Sequence, residues 1–313
     1  MVLDVMKIKN EISKVIIGKD NIVELMLISI MNKGHILLED VPGTGKTMLA
    51  KSMARVIGGD FKRIQFTPDL LPSDVIGIQF FDPKERTFQL RLGPVVTNVL
   101  LADEINRANP RTQSSLLEVM EEKQVTIDGE TVKLPSPFIV IATQNPIESS
   151  GTFPLPEAQL DRFFMQIQVG YPTRQEEKRI MNVHRGNEPL HTIETLLTLE
   201  EIKRCQEEVQ NVLVSESIED YILDIVQHSR ESQYVEVGIS PRGTLALMRA
   251  CQGKAYLQGR EYVIPEDVKN IAPHVIPHRL VLSVEGAMRK TKRQIVTDIL
   301  NEVHVPVESG SPQ

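Results

Sequence analysis

Residues 34–58 read GHILLEDVPGTGKTMLAKSMARVIG and combine a short apolar run, a glycine-containing turn and a helical pattern. Such a turn lets successive backbone N–H groups face one point, and the positive end of the following helix faces the same point. The common form of the motif is GxxxxGK[ST], and Asp40 stands where that form has its first glycine. Because position 40 lies at the strand exit, before the turn closes, an outward side chain costs little there. The stretch therefore predicts an α/β domain with a phosphate-binding loop.

The first half of the chain alternates strand-like and helical segments, which predicts a parallel sheet covered by helices on both faces. Two further segments, 69–94 and 123–135, each contain β-type runs around a polar turn, and the second carries Asp128-Gly129. We predict a five-stranded parallel sheet with two inserted β-hairpins. The five strand-like runs lie at residues 34–40, 61–66, 95–104, 136–146 and 163–170.

The pattern changes after GYPTRQEEKR (170–179), where strand-like runs largely stop. Amphipathic helical patterns take over, for example TLEEIKRCQEEVQNVL (198–213) and SPRGTLALMRACQGKAYL (240–257). The sequence thus predicts three parts: a nucleotide-binding α/β domain, a smaller all-helical domain and a loose polar tail. Their predicted limits are 1–185, 190–306 and 307–313.

The bulk composition limits the class of protein. The chain has 313 residues, of which 41% are hydrophobic, and a formal net charge of −7, which suits about two globular domains. No run approaches the ~18 apolar residues of a membrane helix, and the N-terminal stretch lacks the apolar segment of a signal peptide. We therefore expect a cytoplasmic protein without membrane insertion. The acidic balance argues against a protein that coats nucleic acid.

The loop supplies candidate ligands for a nucleotide. The Lys46 ammonium would lie between the β and γ phosphates, and the Thr47 hydroxyl would coordinate Mg²⁺. Because a polyphosphate suits a turn of this kind, we predict ATP and Mg²⁺ as ligands. The candidate nucleotide-binding residues are Pro42, Gly43, Thr44, Gly45, Lys46, Thr47 and Met48.

Two polar strand ends extend the predicted site. The run VVTNVLLADE (95–104) ends in Asp103 and Glu104, and buried apolar strands rarely end in adjacent acids without a cation or a catalytic task. Asp103 would hold the water shell of Mg²⁺, and Glu104 would polarise the water that attacks the γ-phosphate. Asn145, in IATQNP (141–146), would orient that water. The alternatives are two solvated acids and an ordinary turn asparagine.

The trio of GKT loop, strand-terminal Asp-Glu and strand-terminal Asn resembles the AAA+ ATPases. Three longer segments are similar to the MoxR branch of that superfamily in particular, and the resemblance spans nearly the whole chain. It implies a P-loop core with a five-stranded parallel sheet, a helical lid and ATPase activity. This family commonly tolerates a residue other than glycine at the position of Asp40. The three segments are LLADEINRANPRTQSSLLEVMEEKQVTIDG (100–129), ATQNPIESSGTFPLPEAQLDRFF (142–164) and SPRG (240–243).

The resemblance also implies roles for arginines. Arg162 resembles the arginine finger, which reaches the γ-phosphate bound by a neighbouring subunit; a salt bridge to Asp161 or to the sheet edge is the alternative. Arg242 resembles the second sensor, and whether it acts on its own subunit's nucleotide or on a neighbour's stays open. Arg107 and Arg111 are candidates for the subunit boundary, with ordinary surface arginines as the equal alternative.

At the level of function, the resemblance implies a ring, expected to be hexameric, that remodels or matures a partner protein complex. The client is expected to be associated with a protein bearing a von Willebrand factor A domain, and the two hairpins either contact the client or pack the ring. A metal-chelatase-like motor subunit is the first alternative. A nucleic-acid motor or transcription activator is less favoured, since the 69–94 insert lacks the GAFTGA loop and no helix-turn-helix follows the lid.

Overall fold

The structure, a computed structural model, describes residues 4–39, 43–145, 151–183 and 189–306. The helices are α1 Val5–Ser13, α2 Asp20–Met31, α3 Lys46–Val56, α4 Pro72–Ile76, α5 Pro110–Glu122, α6 Glu157–Leu160, α7 Arg174–Val183, α8 Leu199–Glu208, α9 Glu216–Glu231, α10 Pro241–Leu257, α11 Pro265–Val275, α12 Val284–Arg289 and α13 Lys292–Glu302. The strands are β1 Ile36–Glu39, β2 Phe61–Gln65, β3 Gly77–Asp82, β4 Thr87–Leu92, β5 Val99–Asp103, β6 Gln124–Ile127, β7 Glu130–Lys133, β8 Ile139–Gln144, β9 Met165–Gln168, β10 Val235–Val237 and β11 Val281–Leu282.

The main sheet has five parallel strands in the order β2-β5-β8-β1-β9. Successive residues of β1, from Ile36 to Leu38, are all 0% exposed, so both faces of the sheet are covered at this inner strand. Strands buried on both faces carry continuous rather than alternating apolar runs, as β1, β5 and β8 do, whereas the edge strands β2 and β9 also carry partly exposed polar residues. The predicted five-stranded parallel sheet is confirmed.

The strand order decides which strand ends meet. The register pairs Glu39 of β1 with Gln144 of β8, and Gln65 of β2 with Asp103 of β5. The carboxyl ends of parallel strands share one edge of the sheet, and open α/β sheets bind ligands outside that edge. The turn after β1, the acids at the end of β5 and Asn145 after β8 therefore lie on the same edge.

Both inserted segments are antiparallel hairpins, as predicted. In the first, β3 pairs with β4, and the rings of Phe81 and Phe88 meet edge to face with centroids 5.4 Å apart. These rings are 51% and 67% exposed. In the second, β6 pairs with β7 through a turn at Asp128 and Gly129, whose φ values are 48° and 90°. Two consecutive positive φ values are the requirement of the type I′ turn that Asp-Gly favours.

A buried histidine just before β1 forms hydrogen bonds with β8 and with α5. Nδ1 of His35 accepts the backbone N–H of Val140 at 2.9 Å, and Nε2 lies 3.0 Å from the carbonyl oxygen of Met120. A neutral ring with its proton on Nε2 satisfies both contacts. The ring also packs edge-on against Phe138, with centroids 5.7 Å apart. Burial lowers the pKa of His35 from its ordinary 6.5 to about 4, with a smaller contribution from the Lys123 charge.

This histidine predicts a loss of stability in mild acid. Between pH 6.5 and about 4 the unfolded chain binds a proton at His35 that the folded chain excludes, so the free energy of unfolding falls as the pH falls. The contribution of His35 to the free energy of unfolding changes by about 1.4 kcal/mol per pH unit, or roughly 3 kcal/mol over this window. Above pH 7 the ring is neutral in both states, so this contribution no longer changes. Urea unfolding followed by circular dichroism measures it. His35→Gln, which cannot titrate, should flatten the curve; equal pH slopes in both proteins would contradict this account.

The chain divides into two compact units, Asp4–Cys205 and a second that begins at Gln206. The residues just before the division pack with the first unit, since the backbone N–H groups of Leu196 and Leu197 donate to the carbonyl oxygen of Val56 at 2.9 and 3.0 Å. The observed division thus falls after residues 185–190, because the non-helical segment that contains Leu196 and Leu197 returns to α3 before the second unit starts. The predicted tail, 307–313, lies outside the described residues.

The second unit is formed mainly by α9 to α13. Helix α10 starts after Ser240, whose side chain accepts the backbone N–H of Gly243 at 3.1 Å, with Pro241 at the first helical position. The unit also contains an antiparallel pair, β10 with β11, which the sequence did not predict. Within the four described ranges, no helix has the length and apolar character needed to cross a membrane.

Candidate active site

The turn before α3 has the backbone of an anion-binding loop. Gly43 and Gly45 have φ values of 85° and 87°, and Gly45 is the residue that precedes the helix. A Cβ added at either glycine would meet nothing within 4 Å, so the left-handed conformation, rather than lack of space, is what requires glycine. Helix α3 begins at Lys46, directly after the loop, and the first N–H groups of a helix, which have no partner within it, can bind an anion. Asp40 and Pro42 lie outside the described residues.

A cavity of about 440 Å³ opens beside this turn. It brings together every described residue of the predicted loop with the two acids at the end of β5 and with Asn145 after β8. Its size is within the usual range of small-molecule sites. The lining residues are Gly43, Thr44, Gly45, Lys46, Thr47, Met48, Lys51, Arg63, Asp103, Glu104, Thr143 and Asn145.

Asp103 is held on both carboxylate oxygens. The hydroxyl of Thr143 on β8 donates to Oδ1 at 2.6 Å, and the guanidinium of Arg63 on β2 donates to Oδ2 from Nε at 3.1 Å and from Nη2 at 2.7 Å. The side chain of Asp103 is 14% exposed and that of Arg63 is 46% exposed. Because β2 and β8 flank β5 in the sheet, the two neighbouring strands fix the orientation of this carboxylate.

Glu104 occupies a strained backbone position. Its φ is 57° and its ψ is 50°, the left-handed region that costs a residue other than glycine roughly 1–3 kcal/mol. The backbone N–H of Glu104 donates to Thr143 Oγ1 at 2.9 Å, which stabilises the turn. The side chain of Gln65 donates to Glu104 Oε2 at 2.8 Å, and Arg107 Nε lies 2.9 Å from the same oxygen. Strain of this kind is concentrated at functional sites, where it aims a side chain.

The donor set fits a magnesium–polyphosphate complex. Lys46, Lys51 and Arg63 supply positive charge around the cavity, and Thr47 and Asp103 supply the oxygen ligands that Mg²⁺ prefers. Among the described residues, no three His, Cys, Asp or Glu side chains form a metal cluster. A site with one carboxylate and one hydroxyl suits Mg²⁺, which usually keeps several waters and takes further ligands from substrate phosphates.

The two arginines with expected catalytic roles belong to different units. Arg162 lines a separate cleft of about 300 Å³ with residues of α5. Its guanidinium donates to the carbonyl oxygen of Leu117 at 3.1 Å and pairs with Glu121 Oε2 at 2.6 Å. Its side chain is 33% exposed. In the second unit, Arg242 is an exposed residue in the first turn of α10.

The other two arginines of the first unit differ from each other. Arg107 is partly exposed and pairs with Glu104, as described above, so it lies beside the acids of the site. Arg111 is exposed at the start of α5. Their expected positions at a subunit boundary stay predictions.

Sequence reasoning missed the supporting residues Lys51, Arg63, Gln65 and Thr143. Arg63 and Gln65 are polar residues of β2, and their alternation along that strand was the available signal. That signal did not reveal that β2 lies next to β5, which is what brings both side chains to the acids. Thr143 precedes Asn145 by two residues in IATQNP, so it lies on the same strand end, but its bond to Asp103 depends on the pairing of β5 with β8.

Comparisons with known families agree with this geometry. Residues 35–165 match the ATPase family associated with various cellular activities (AAA), and residues 227–299 match the AAA lid domain. The first match contains the loop, the acids at the end of β5 and Asn145. The second match lies within the helical unit, and its range contains Arg242 of α10.

Several proteins resemble the chain over nearly its full length. The uncharacterized protein YeaC of Bacillus subtilis is 49% identical over 306 residues, which are 97% of this chain and 96% of that protein. Chaperone MoxR1 of Mycobacterium tuberculosis is 44% identical, covering 97% and 82%. Protein MoxR of Methylorubrum extorquens is 30% identical, covering 95% and 92%. A crystal structure from Cytophaga hutchinsonii, of a protein assigned as an ATPase, has a TM-score of 0.90 and 39% identity, covering 97% and 95%.

Proposed function

The chain belongs to the MoxR family of AAA+ ATPases and is an ATPase, and from this premise we propose that it hydrolyses Mg-ATP in a ring of subunits to remodel a partner protein. One observation carries the proposal. One cavity is lined by residues that follow or end three different strands. They are Lys46 and Thr47 after β1, Asp103 and Glu104 at the end of β5, and Asn145 after β8. If Asp103 and Glu104 were only solvated acids and Asn145 only a turn residue, the fold would not need to place all three beside the glycine-containing loop.

Each of these side chains has a distinct proposed task. Lys46 binds the β and γ phosphates, and Thr47 and Asp103 hold the magnesium ion and its water shell. When bound, Mg²⁺ neutralises the charge on the phosphate oxygens. Glu104 accepts a hydrogen bond from the attacking water and takes its proton as the water oxygen bonds to the γ-phosphorus, and Asn145 orients that water towards the γ-phosphate. The fixed geometry of Asp103 and the strained turn at Glu104 support these assignments.

The proposed ring follows from Arg162. Because Arg162 lines a different cleft of the same unit from the one that Lys46 lines, a neighbouring subunit is the natural recipient of its charge. A hexamer is the proposed ring size, on the basis of the family. Arg242 is proposed as the sensor that links the helical unit to the nucleotide, in its own subunit or in a neighbour.

The proposed client is a protein. The relative named Chaperone MoxR1 supports a chaperone-like role, and the exposed rings of Phe81 and Phe88 on the first hairpin offer an apolar surface for protein contact. The association of the client with a von Willebrand factor A domain protein rests on the family resemblance. The cytoplasmic location stays a prediction of the sequence.

Lys46→Ala tests the nucleotide site directly. Removing an ammonium that contacts two phosphates costs a charged hydrogen bond, so the affinity for Mg-ATP should fall roughly 10- to 100-fold or more. Calorimetric titration with Mg-ATP measures the change. Lys51→Ala is the matched control, because Lys51 lines the same cavity from the next turn of α3. Equal losses in both variants would point to a general effect of charge, and an unchanged affinity in Lys46→Ala would remove the site assignment.

A further inference from the structure

The carboxylate of Asp103 forms an ion pair with the guanidinium of Arg63. Arg63 places both Nε and Nη2 on Oδ2, at 3.1 and 2.7 Å, while Thr143 occupies Oδ1. The contact joins residues that are 40 positions apart in the chain and is fixed by the register of β2 against β5. Arg63 also lines the cavity beside the loop. A guanidinium thus contacts Oδ2 of the carboxylate to which the proposed function assigns magnesium.

Two cations on one carboxylate oppose each other. A divalent ion is attracted to Asp103 by its negative charge, and a guanidinium on Oδ2 cancels that charge and uses oxygen lone pairs. The side chain of Asp103 is only 14% exposed, so water and salt screen this interaction less than at an open surface. A metal ion bound at Asp103 would therefore compete with Arg63 for the negative charge of this carboxylate.

Arg63 has a second partner that can retain it. Its Nη2 also donates to Oε1 of Gln65 at 2.7 Å, and Gln65 Nε2 donates to Glu104 Oε2. Because the side chain of Arg63 is 46% exposed, it can leave Asp103 without entering the core. The chain of contacts Asp103–Arg63–Gln65–Glu104 connects the proposed metal ligand to the proposed water-activating acid.

We propose that Arg63 is a built-in counter-cation of Asp103 that competes with Mg²⁺, and that it sets how strongly nucleotide binding depends on the metal. The inference rests on the proposed role of Asp103 as a ligand of the metal. In the absence of Mg²⁺, the protein with Arg63 binds a polyphosphate more tightly than a protein without it. The reason is that Arg63 neutralises the Asp103 carboxylate, which would otherwise repel the phosphates. The added benefit of Mg²⁺ is correspondingly smaller, because the ion displaces an existing cation.

The measurable quantity is the ratio of the ADP dissociation constant in EDTA to that in excess Mg²⁺. Arg63→Ala should raise this ratio about tenfold, the size expected for one charge-assisted pair. The increase should come from weaker binding in EDTA, from tighter binding in Mg²⁺, or from both. ADP is the probe because it is not consumed, so the measurement is independent of turnover.

Two variants make the experiment specific. Arg63→Lys keeps the charge and should keep the ratio near that of the unmodified protein. Lys62→Ala removes the neighbouring charge of β2, whose Nζ donates to the carbonyl oxygen of Val96 at 3.0 Å, and should leave the ratio unchanged. Thermal unfolding by circular dichroism checks that each variant is folded, which the exposure of Arg63 favours.

The outcomes separate the inference from the function on which it rests. If the unmodified protein shows a metal effect that Asp103→Asn reduces, but Arg63→Ala leaves the ratio unchanged, then Arg63 does not compete with the metal. If Arg63→Ala weakens ADP equally with and without Mg²⁺, Arg63 binds phosphate directly and the inference is wrong. If the unmodified protein shows no metal effect, or Asp103→Asn leaves that effect intact, the proposed metal role of Asp103 itself fails.

Discussion

Replacing Arg162 with alanine is expected to lower ATP turnover about 10³- to 10⁵-fold while the affinity for Mg-ATP stays nearly unchanged. An arginine finger places positive charge against oxygens whose negative charge grows in the transition state, so the benefit falls on turnover more than on binding. The side chain lines its own cleft beside α5, where it is accessible to a second subunit. Steady-state hydrolysis and calorimetric titration of the same preparation measure the two quantities.

The ion pair of Arg162 with Glu121 supplies the control. If Arg162 acted only through this contact, Glu121→Gln would reproduce the loss of turnover. The pair is 33% and 41% exposed, and exposed pairs of this kind contribute at most about 1 kcal/mol. We therefore expect Glu121→Gln to keep most of the activity. A loss in Glu121→Gln as large as in Arg162→Ala would leave Arg162 with a structural role.

Mixing two inactive variants tests whether the arginine acts across a subunit boundary. Arg162→Ala subunits lack the finger but keep Lys46, whereas Lys46→Ala subunits lack nucleotide binding but still present Arg162. Some mixed rings then join an intact loop to an intact arginine, so part of the ATPase activity should return. The mixture is assayed with ATP present, at concentrations where light scattering shows rings, and an affinity tag on one variant that also captures the other shows that both share a ring. No recovery in such rings would exclude a shared site.

Replacing Glu104 with glutamine should lower turnover about 10²- to 10⁴-fold, the usual contribution of a general base, with Mg-ATP binding retained. Glutamine keeps the shape of the side chain and an oxygen that still accepts from Gln65, so the strained turn is preserved. What it loses is the charge that polarises the attacking water. Single-turnover hydrolysis compared with binding of Mg-ATP separates the chemical step from affinity.

Glu39→Gln is the matched control for this substitution. Glu39 also ends a strand of the main sheet, β1, and its Oε2 accepts from Gln166 at 2.9 Å. The same loss of a carboxylate there should leave the rate of hydrolysis within a few-fold of normal. Normal hydrolysis by Glu104→Gln would show that another group activates the water, and equal slowing of both variants would indicate a general disturbance of the sheet edge.

Much of the fold and of the site was predictable because the signals are local. The three inner strands of the main sheet, β5, β8 and β1, are buried on both faces, so each is a nearly continuous apolar run. The turn from Gly43 to Thr47 carries its own backbone requirement. Asp103, Glu104 and Asn145 were recognisable because polar residues at the ends of apolar strands are unusual. Residue spacing within one motif does not depend on the rest of the fold.

The strand order, in contrast, is a property of the tertiary structure. Arg63 reaches Asp103 and Gln65 reaches Glu104 only because β2 lies beside β5, and Thr143 reaches Asp103 because β8 lies on the other side. The pair of β10 with β11 likewise joins segments that are far apart in the chain.

The sequence by itself therefore determined the chemical types of the candidate site, a glycine-containing turn followed by strand-terminal acids and an amide. Only the tertiary structure decided which other side chains hold those groups. The physical reason is that a hydrogen bond or ion pair acts over a few ångströms in space, whereas Arg63 and Asp103 are 40 residues apart along the chain. The pairing of β2 with β5 brings them together, and the residue pattern of a single strand does not specify which strand lies beside it.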